Sequence, residues 1–171
     1  MDQAQVLGGA AAVGGVFTYE HVRDGKVIDT WHSHNIIVNQ GLNHILDVVL
    51  HGTAATNPWY IGVFEGNYTP LATDTAATIV AAATECTAYT EGVRQTYVEA
   101  AASSQVTTNS ASKATFTFNA TKTIYGAFLS SVSTISSTSG VLLAADKAAT
   151  AKSVTSGDQI LVTYALTLTA A

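Results

Sequence analysis

Five histidines fall in the first third of the chain, and their spacing raises the question of a metal site. His32 and His34 stand two residues apart, and residues i and i+2 of a β-strand share a face, where two imidazoles can bind one ion. Metal sites usually need a third ligand, however, and the chain has no HExxH pattern or comparable spacing. The nearby carboxylates are Asp29 and Asp47. We therefore expect no metal ion and no cofactor, and structural or solvated roles for His21, His32, His34, His44 and His51.

Nucleophilic or acid–base catalysis is not indicated either. Ser and Thr are abundant, yet the chain has no GxSxG elbow and no GxxxxGK[ST] phosphate loop. Glu85 and Glu91 flank "CTAYT" in a loop-like stretch, and carboxylates there are typical of a solvated face. The single cysteine, Cys86, excludes a disulfide within this chain and a paired-cysteine zinc site, and we expect it to be buried. We expect the protein not to be an enzyme.

Aromatic residues leave one binding alternative open. Trp31, Trp59 and Tyr60 could stack on sugar rings, as in a carbohydrate-binding module. Trp59 and Tyr60 open a strongly apolar strand, however, where packing in the core is the commoner fate. An exposed Trp59 or Trp31 in a groove would favour the carbohydrate-binding alternative.

Composition and charge restrict the remaining function classes. The net charge of −5 includes only seven Lys and Arg residues, too few and too scattered to neutralise a row of phosphates, so we expect no nucleic-acid partner. No stretch approaches the roughly 18 apolar residues of a membrane span, and the N-terminus lacks a signal-peptide pattern, so we expect no membrane partner and synthesis in a reducing cytoplasm. Charged residues are only 11% of the chain, which predicts a surface of Ser, Thr and small residues suited to protein contacts.

Two elements that must position these residues are sharply defined. Residues 16–32 form two runs rich in β-branched and aromatic residues around Asp24-Gly25, which predicts a tight β-hairpin. Apolar residues with helical spacing follow, with Asn39 placed to cap the first turn and Gly52 to end the last. This pattern predicts a helix at about residues 40–51, with an apolar face of Leu42, Ile45, Leu46, Val49 and Leu50.

The rest of the chain is typical of β structure. The segment "WYIGVF" lacks polar alternation, so we expect a strand covered on both faces, one of them by the helix. Later segments alternate with a period of two, most clearly from Ile160 to Leu168. We predict a mainly β fold, an antiparallel β-sandwich with one short helix near residues 40–51. Its predicted core contains Leu42, Ile45, Leu46, Val49, Trp59, Ile61, Phe116, Phe128, Ile160, Val162 and Tyr164.

The N-terminal residues are expected to behave differently from this domain. Residues 1–15 are rich in Ala and Gly without a period, which predicts a flexible arm that is not needed for folding. Residues 16–171 then form a single domain that includes the N-terminal hairpin. Because an arm with little apolar surface can still order against a partner, we predict contacts with neighbouring subunits through Val6, Leu7, Val13, Phe17 and Tyr19.

Four stretches in this order resemble the small virion structural proteins of tailed bacteriophages, of the capsid-decorating or cement type: "NIIVNQGLNHILDVVL", "WYIGVFEGNYTPLATDT", "ECTAYTEGVRQTYVEA" and "TKTIYGAFLSSVSTISSTSGVLLAA", continuing to "SVTSGDQILVTYALTL". The resemblance covers roughly residues 33–171, while residues 1–32 depart from the pattern. Its motifs lie at Gly41 to Asn43, Trp59 to Gly62, Ala72 to Thr75, Thr87 to Tyr89 with Arg94, Ile124 to Leu129, Gly140 to Leu142, and Gly157 to Tyr164.

This resemblance implies a sandwich of jelly-roll type on the outer capsid surface of a virion, made in the host cytoplasm. It also implies that the protein clamps subunits of the major capsid protein and associates with itself as a dimer or trimer. The alternative within phage biology is a tail or head-fibre component, which the same β-rich composition would serve. A trimeric fibre would show a repetitive shaft, and no exact repeat is present in this sequence.

Overall fold

The computed structural model describes residues 11–170, which form a mainly β fold with two helices. Antiparallel pairing joins the strands throughout, as the sequence predicted. The strands are β1 (Ala11–Arg23), β2 (Lys26–Ile37), β3 (Trp59–Phe64), β4 (Gln95–Tyr97), β5 (Val106–Thr108), β6 (Ala114–Thr117), β7 (Lys122–Ile124), β8 (Gly126–Ser130), β9 (Leu142–Asp146), β10 (Lys152–Val154) and β11 (Gln159–Ala170). The helices are α1 (Asn39–Leu50) and α2 (Ala76–Ala82).

The predicted N-terminal hairpin is confirmed and is longer than expected. Asp24 and Gly25 adopt φ values of 51° and 73°, the paired positive values that a two-residue hairpin turn requires. Strand β1 pairs with β2 on one side and with β11 on the other, from Ala11↔Ala170 to Val22↔Gln159. The hairpin therefore lies inside the sheet rather than at its margin.

Strand β2 turns the sheet so that its two halves face each other. Its first part pairs with β1 up to His34, and its last three residues, Asn35 to Ile37, pair with β9. The strand order of the large sheet is β4-β3-β8-β9-β2-β1-β11-β5, with β6 also paired to β11. The two ends meet where Tyr97 of β4 contacts Tyr164 of β11, with ring centres 5.8 Å apart. The result is a curled antiparallel sheet consistent with a sandwich, and a jelly-roll topology stays a prediction.

The main core lies between these two halves. Five of the predicted core residues belong to it, and Trp59 packs half-buried against it, as do Leu42 and Ile45. Phe128 instead joins a second cluster on the outer face of β3, β8 and β9. The five residues in the main core are Ile61, Phe116, Ile160, Val162 and Tyr164.

Strand β3 is covered on both faces, and α1 contributes to one of them at the start of the strand, where His44 meets the ring of Trp59 at 5.5 Å. The second cluster places Phe64 of β3 against Ala76 and Ile79 of α2. Helix α2 begins with a capping box, in which the side chains of Thr75 and Thr78 each accept a hydrogen bond from the other residue's backbone N–H. The region 69–90, which is rich in Ala and Thr, thus supplies the cover of the outer face of β3, which the sequence did not assign to any element.

Helix α1 forms close to the predicted residues, but the prediction that Leu46 and Val49 lie in the core is wrong. Leu46 is 55% exposed and Val49 is 71% exposed. The buried residue of the helix is Gly41, where an added Cβ would lie 2.4 Å from the carbonyl oxygen of Leu143 in β9. Because the helix docks on the sheet through its glycine, Leu46, Val49 and Leu50 lie toward solvent, while Leu42 and Ile45 pack half-buried against the core.

The predicted interface residues of the first strand also need correction. Phe17 and Tyr19 are fully buried and stack in the main core, so they cannot contact a neighbouring subunit. Val13 packs half-buried against the same core, and residues 11–15, predicted to belong to a flexible arm, form the start of β1. The physical reason is the ladder with β11, which pairs this glycine-rich segment residue by residue. Val6 and Leu7 lie outside the described residues.

Candidate interaction surface

The two most exposed large apolar side chains among residues 11–170 belong to helix α1. Leu50 is 79% exposed and Val49 71%, followed by Leu46 at 55%. Leu168, in the last part of β11, is 46% exposed and lines a groove together with Leu46. We call these four residues, Leu46, Val49, Leu50 and Leu168, the α1 patch.

Two grooves flank the helix, so that α1 stands as a ridge between them. The first is a cavity of about 290 Å³ between the helix and the ends of β1 and β11. The second, of about 220 Å³, lies between the helix and the segment that leads into β3. Ile45 lines both grooves, which lie on opposite sides of the helix. The first groove is lined by Ala11, Ala12, Val13, Leu42, Ile45, Leu46 and Leu168, and the second by His44, Ile45, Val48, Val49, Ala55, Thr56, Trp59, Leu143 and Leu166.

The elements around the α1 patch are almost free of charge. Residues 39–58 contain Asp47 as their only Asp, Glu, Lys or Arg, and residues 11–19 and 159–170 contain none. Asp47 follows Leu46 directly and so lies about 100° around the helix from it, at the margin of the patch. An apolar ridge with one charged residue and apolar grooves beside it suits contact with another protein better than contact with a charged ligand.

The two tryptophans differ in how far they meet the condition for sugar binding. Trp31 stacks on Tyr19 with ring centres 5.0 Å apart, and Lys152 lies 4.9 Å from its ring, so its faces are occupied. Trp59 is half-buried and lines the second groove, where His44 meets its ring edge-on at 5.5 Å. A third cavity of about 210 Å³ continues from Trp59 to Glu99. Trp59 therefore lies in a groove but is half-buried, so it meets part of the condition of an exposed tryptophan in a groove.

A buried carboxyl group sits where β2 passes from one half of the sheet to the other. The hydroxyl of Tyr19 donates to Oδ1 of Asp146 at 2.5 Å, and the backbone N–H of Ala127 donates to the same oxygen at 2.8 Å. The hydroxyl of Ser33 bonds to Oδ2. Burial raises the pKa of Asp146 to about 7, despite these hydrogen bonds. The group joins strands β1, β2, β8 and β9 and has a structural role.

A buried ion pair is the polar feature that the sequence analysis missed. Glu85 was expected in a solvated face, but its carboxylate accepts two hydrogen bonds from Arg94, at 2.7 and 2.9 Å, and both side chains are 1% exposed. The guanidinium also donates to the carbonyl oxygens of Val132 and Ser137. The pair therefore fixes the 131–139 segment to the sheet. The chain has only seven Lys and Arg residues, and one of them, Arg94, directly precedes a strand. This position was the signal in the sequence that could have pointed to the pair.

The histidines do not converge on a metal site. Among residues 11–170, no group of three or more His, Cys, Asp or Glu side chains is placed to hold an ion. His21 is buried and bonds to Asp158 at 3.0 Å, whereas His32 and His34 are exposed on β2. Arg23 holds the same Asp158 with two hydrogen bonds of 2.7 Å, and this pairing lowers the pKa of Asp158 well below its ordinary value. These contacts tie β1 to the turn before β11.

Two further predictions concern Cys86 and membranes. Cys86 is buried, as expected, and burial raises the pKa of its thiol, which keeps it in the unreactive protonated form. No helix within the described part of the chain is both long and apolar enough to cross a membrane.

Comparison with known families identifies the class of the protein. This β-rich chain, with its exposed apolar ridge, is a phage virion structural protein. Residues 37–170 match the family described as podophage GP4 fiber I protein gp80, and because this match covers well over half of the chain, the chain belongs to that family. No curated protein matches the sequence. The resemblance to phage virion structural proteins is thus confirmed at the level of the class, while the decoration type stays a prediction.

Proposed function

We propose that the protein is a component of a fibre on a tailed-phage virion, attached to the head or to the tail. The observation that carries this proposal is the match of residues 37–170 to a family described as a fibre protein. It favours the fibre alternative over capsid decoration, the first expectation from the sequence.

The geometry supports a mechanical role in such an assembly. The curled sheet encloses an aromatic core, and buried pairs such as Glu85–Arg94 fix its loops. The exposed α1 patch offers an uncharged surface for attachment. In this role the protein acts without catalysis, holding other virion proteins and copies of itself in place.

Immunogold labelling of purified virions tests the location. We expect an antibody against this chain to label appendages that project from the head or the tail. Uniform labelling of the shell would identify a decoration protein bound to the major capsid protein and would overturn the fibre proposal. The absence of label would also overturn it. Particles from a phage that lacks the gene serve as the control and should lose both label and appendage.

The position of Trp59 supports a second candidate function, recognition of a sugar. Its ring lines a groove that also contains the exposed carboxylate of Glu99 and the hydroxyl of Thr56. Because the chain has two tryptophans, a Trp31→Phe variant leaves Trp59 as the only one, and its fluorescence reports this groove. Quenching by host surface polysaccharide that Glu99→Gln weakens would support this function, and unchanged fluorescence would exclude it.

A further inference from the structure

We propose that the α1 patch is the contact surface for a second copy of this chain, packed helix against helix around a two-fold axis. This inference deepens the proposed function, because it names the surface through which copies of a fibre protein associate. Three features of the described residues carry it: the exposure of the patch, the shape of its surroundings and the distribution of charge.

The exposure of the apolar side chains in the α1 patch indicates a contact surface. An amphipathic helix normally turns its apolar stripe toward its own core, yet Leu46, Val49 and Leu50 are all more than half exposed. The close approach at Gly41 fixes this orientation, since the added Cβ of any other residue would clash with β9. The helix therefore cannot rotate to turn these three side chains inward, and they stay exposed among residues 11–170.

The shape of the surface is complementary to itself. A ridge flanked by grooves accepts the ridge of an identical copy when the two helices run antiparallel, because each ridge then enters the groove of the other. The first groove, at about 290 Å³, is larger than a cavity of about 150 Å³ that holds a benzene ring, so it has room for leucine side chains. In this packing Leu46 of one copy lies beside Leu50 of its partner.

Charge favours a second copy at this surface. Two copies that each carry a net charge of −5 repel one another through most of their surfaces. The segments around the patch contain Asp47 as their only Asp, Glu, Lys or Arg residue, so contact here avoids most of that repulsion. The surface around the patch is formed by segments 11–15, 46–58 and 166–170. The number of residues in these segments is of the order of the 20–30 that one side of a standard interface contains.

Sedimentation analysis of the full chain across the micromolar range tests the inference. We expect dimers, and we expect Leu50→Asp to raise the dissociation constant more than about 30-fold, as loss of a central apolar contact does. Val27→Asp is the matched control, because Val27 is 55% exposed at the tip of the hairpin, away from the patch. Melting temperatures of both variants, measured on dilute protein, should equal that of the wild type and show that both fold.

Cross-linking locates the contact independently. A Leu50→Cys variant treated with a short bis-maleimide should give a covalent dimer, whereas Val27→Cys should not, and Cys86 is buried and should not react. A chain that stays monomeric, or dimers that Leu50→Asp leaves unchanged, would overturn the inference. So would dimerisation that appears only after deletion of residues 1–10, because the patch would then be occupied by this chain's own N-terminus. A monomer that labels virion fibres would overturn this inference alone, and a dimer found on the shell would overturn the fibre proposal alone.

Discussion

At the scale of single residues, Asp146 is a group whose protonation the fold controls strongly. Its carboxyl group is buried among Tyr19, Ser33 and Ala127, and its pKa is raised to about 7. An aspartate in the unfolded chain titrates near 3.9, so the folded state favours the protonated form. The stabilising effect of that proton is complete below about pH 4 and is lost as the pH rises toward 7.

The Asp146→Asn substitution should therefore remove the part of the pH dependence of stability that comes from this carboxyl group. The amide keeps an oxygen for Tyr19 and Ala127 and presents an NH₂ group to Ser33, so it resembles the protonated acid. We expect the variant to match the wild type near pH 4 and to exceed it by up to about 4 kcal/mol at pH 8, as measured by urea unfolding at each pH.

Asp158→Asn provides a control of opposite sign. The pKa of Asp158 is lowered by its hydrogen bonds with Arg23, so its charge stabilises the fold at neutral pH and less so as the pH falls. This variant should be destabilised at pH 7 and approach the wild type in acid. If the difference in unfolding free energy between Asp146→Asn and the wild type does not change with pH, the raised pKa of Asp146 is contradicted.

Arg94 supports a second prediction at this scale. Arg94→Met leaves the carboxylate of Glu85 buried without its cation, which costs about 3–5 kcal/mol. Chemical denaturation should show this loss, and the double variant with Glu85→Leu should recover much of it. Lys122→Met is the control, because the Lys122–Glu65 pair is about one-third exposed and contributes below about 1 kcal/mol. Equal losses in the two single variants would refute the role of the buried pair.

These residues show where inference from sequence stops. Alternation along β11 placed Ile160, Val162 and Tyr164 correctly in the core, because burial there follows a local period of two. Glu85 and Arg94 have no such period, and their pairing depends on how two loops meet in three dimensions. Phe17 and Tyr19 also alternate, but they were assigned to an interface because β11, the strand that buries them, lies at the other end of the chain.

At the scale of elements, the helix and the hairpin were predictable and their packing was not. Asp24-Gly25 determines its turn through local backbone conformation, and the apolar spacing determines α1 through local periodicity. The face that α1 turns to the sheet depends instead on the contact of Gly41 with Leu143, about a hundred residues later. The apolar stripe alone therefore predicted burial of Leu46 and Val49, which are exposed.

Gly41→Ala separates helix propensity from packing. Alanine is favoured over glycine inside a helix by about 1 kcal/mol, which by itself predicts stabilisation. The added Cβ would lie 2.4 Å from the Leu143 carbonyl oxygen, however, and we expect a net loss of about 1–3 kcal/mol in thermal or chemical unfolding. Gly14→Ala is the control, because an added Cβ there meets nothing within 4 Å, and it should not destabilise the protein. A stabilised Gly41→Ala variant would mean that α1 does not dock as described.

At the scale of the whole molecule, residues 37–170, which match the family, do not contain the whole core. The match begins at residue 37, yet Phe17 and Tyr19 of β1 are fully buried between the halves of the sheet. Strand β1 also lies between β2 and β11 in the sheet order. The N-terminal hairpin is therefore an integral part of this fold, although it lies outside the residues that define the family.

A series of N-terminal truncations tests this integration. A chain that starts at Val16 loses residues 11–15, which pair with residues 166–170 of β11, and it loses the half-buried Val13. We expect its melting temperature to fall by roughly 3–8 °C in differential scanning calorimetry, whereas a chain that starts at Ala11 keeps the ladder and serves as the control. A chain that starts at Val38 lacks Phe17 and Tyr19 and should not fold cooperatively. An unchanged melting temperature for the chain that starts at Val16 would restore the view of residues 11–15 as a dispensable arm, since strand pairing that can be removed without loss does not stabilise the fold.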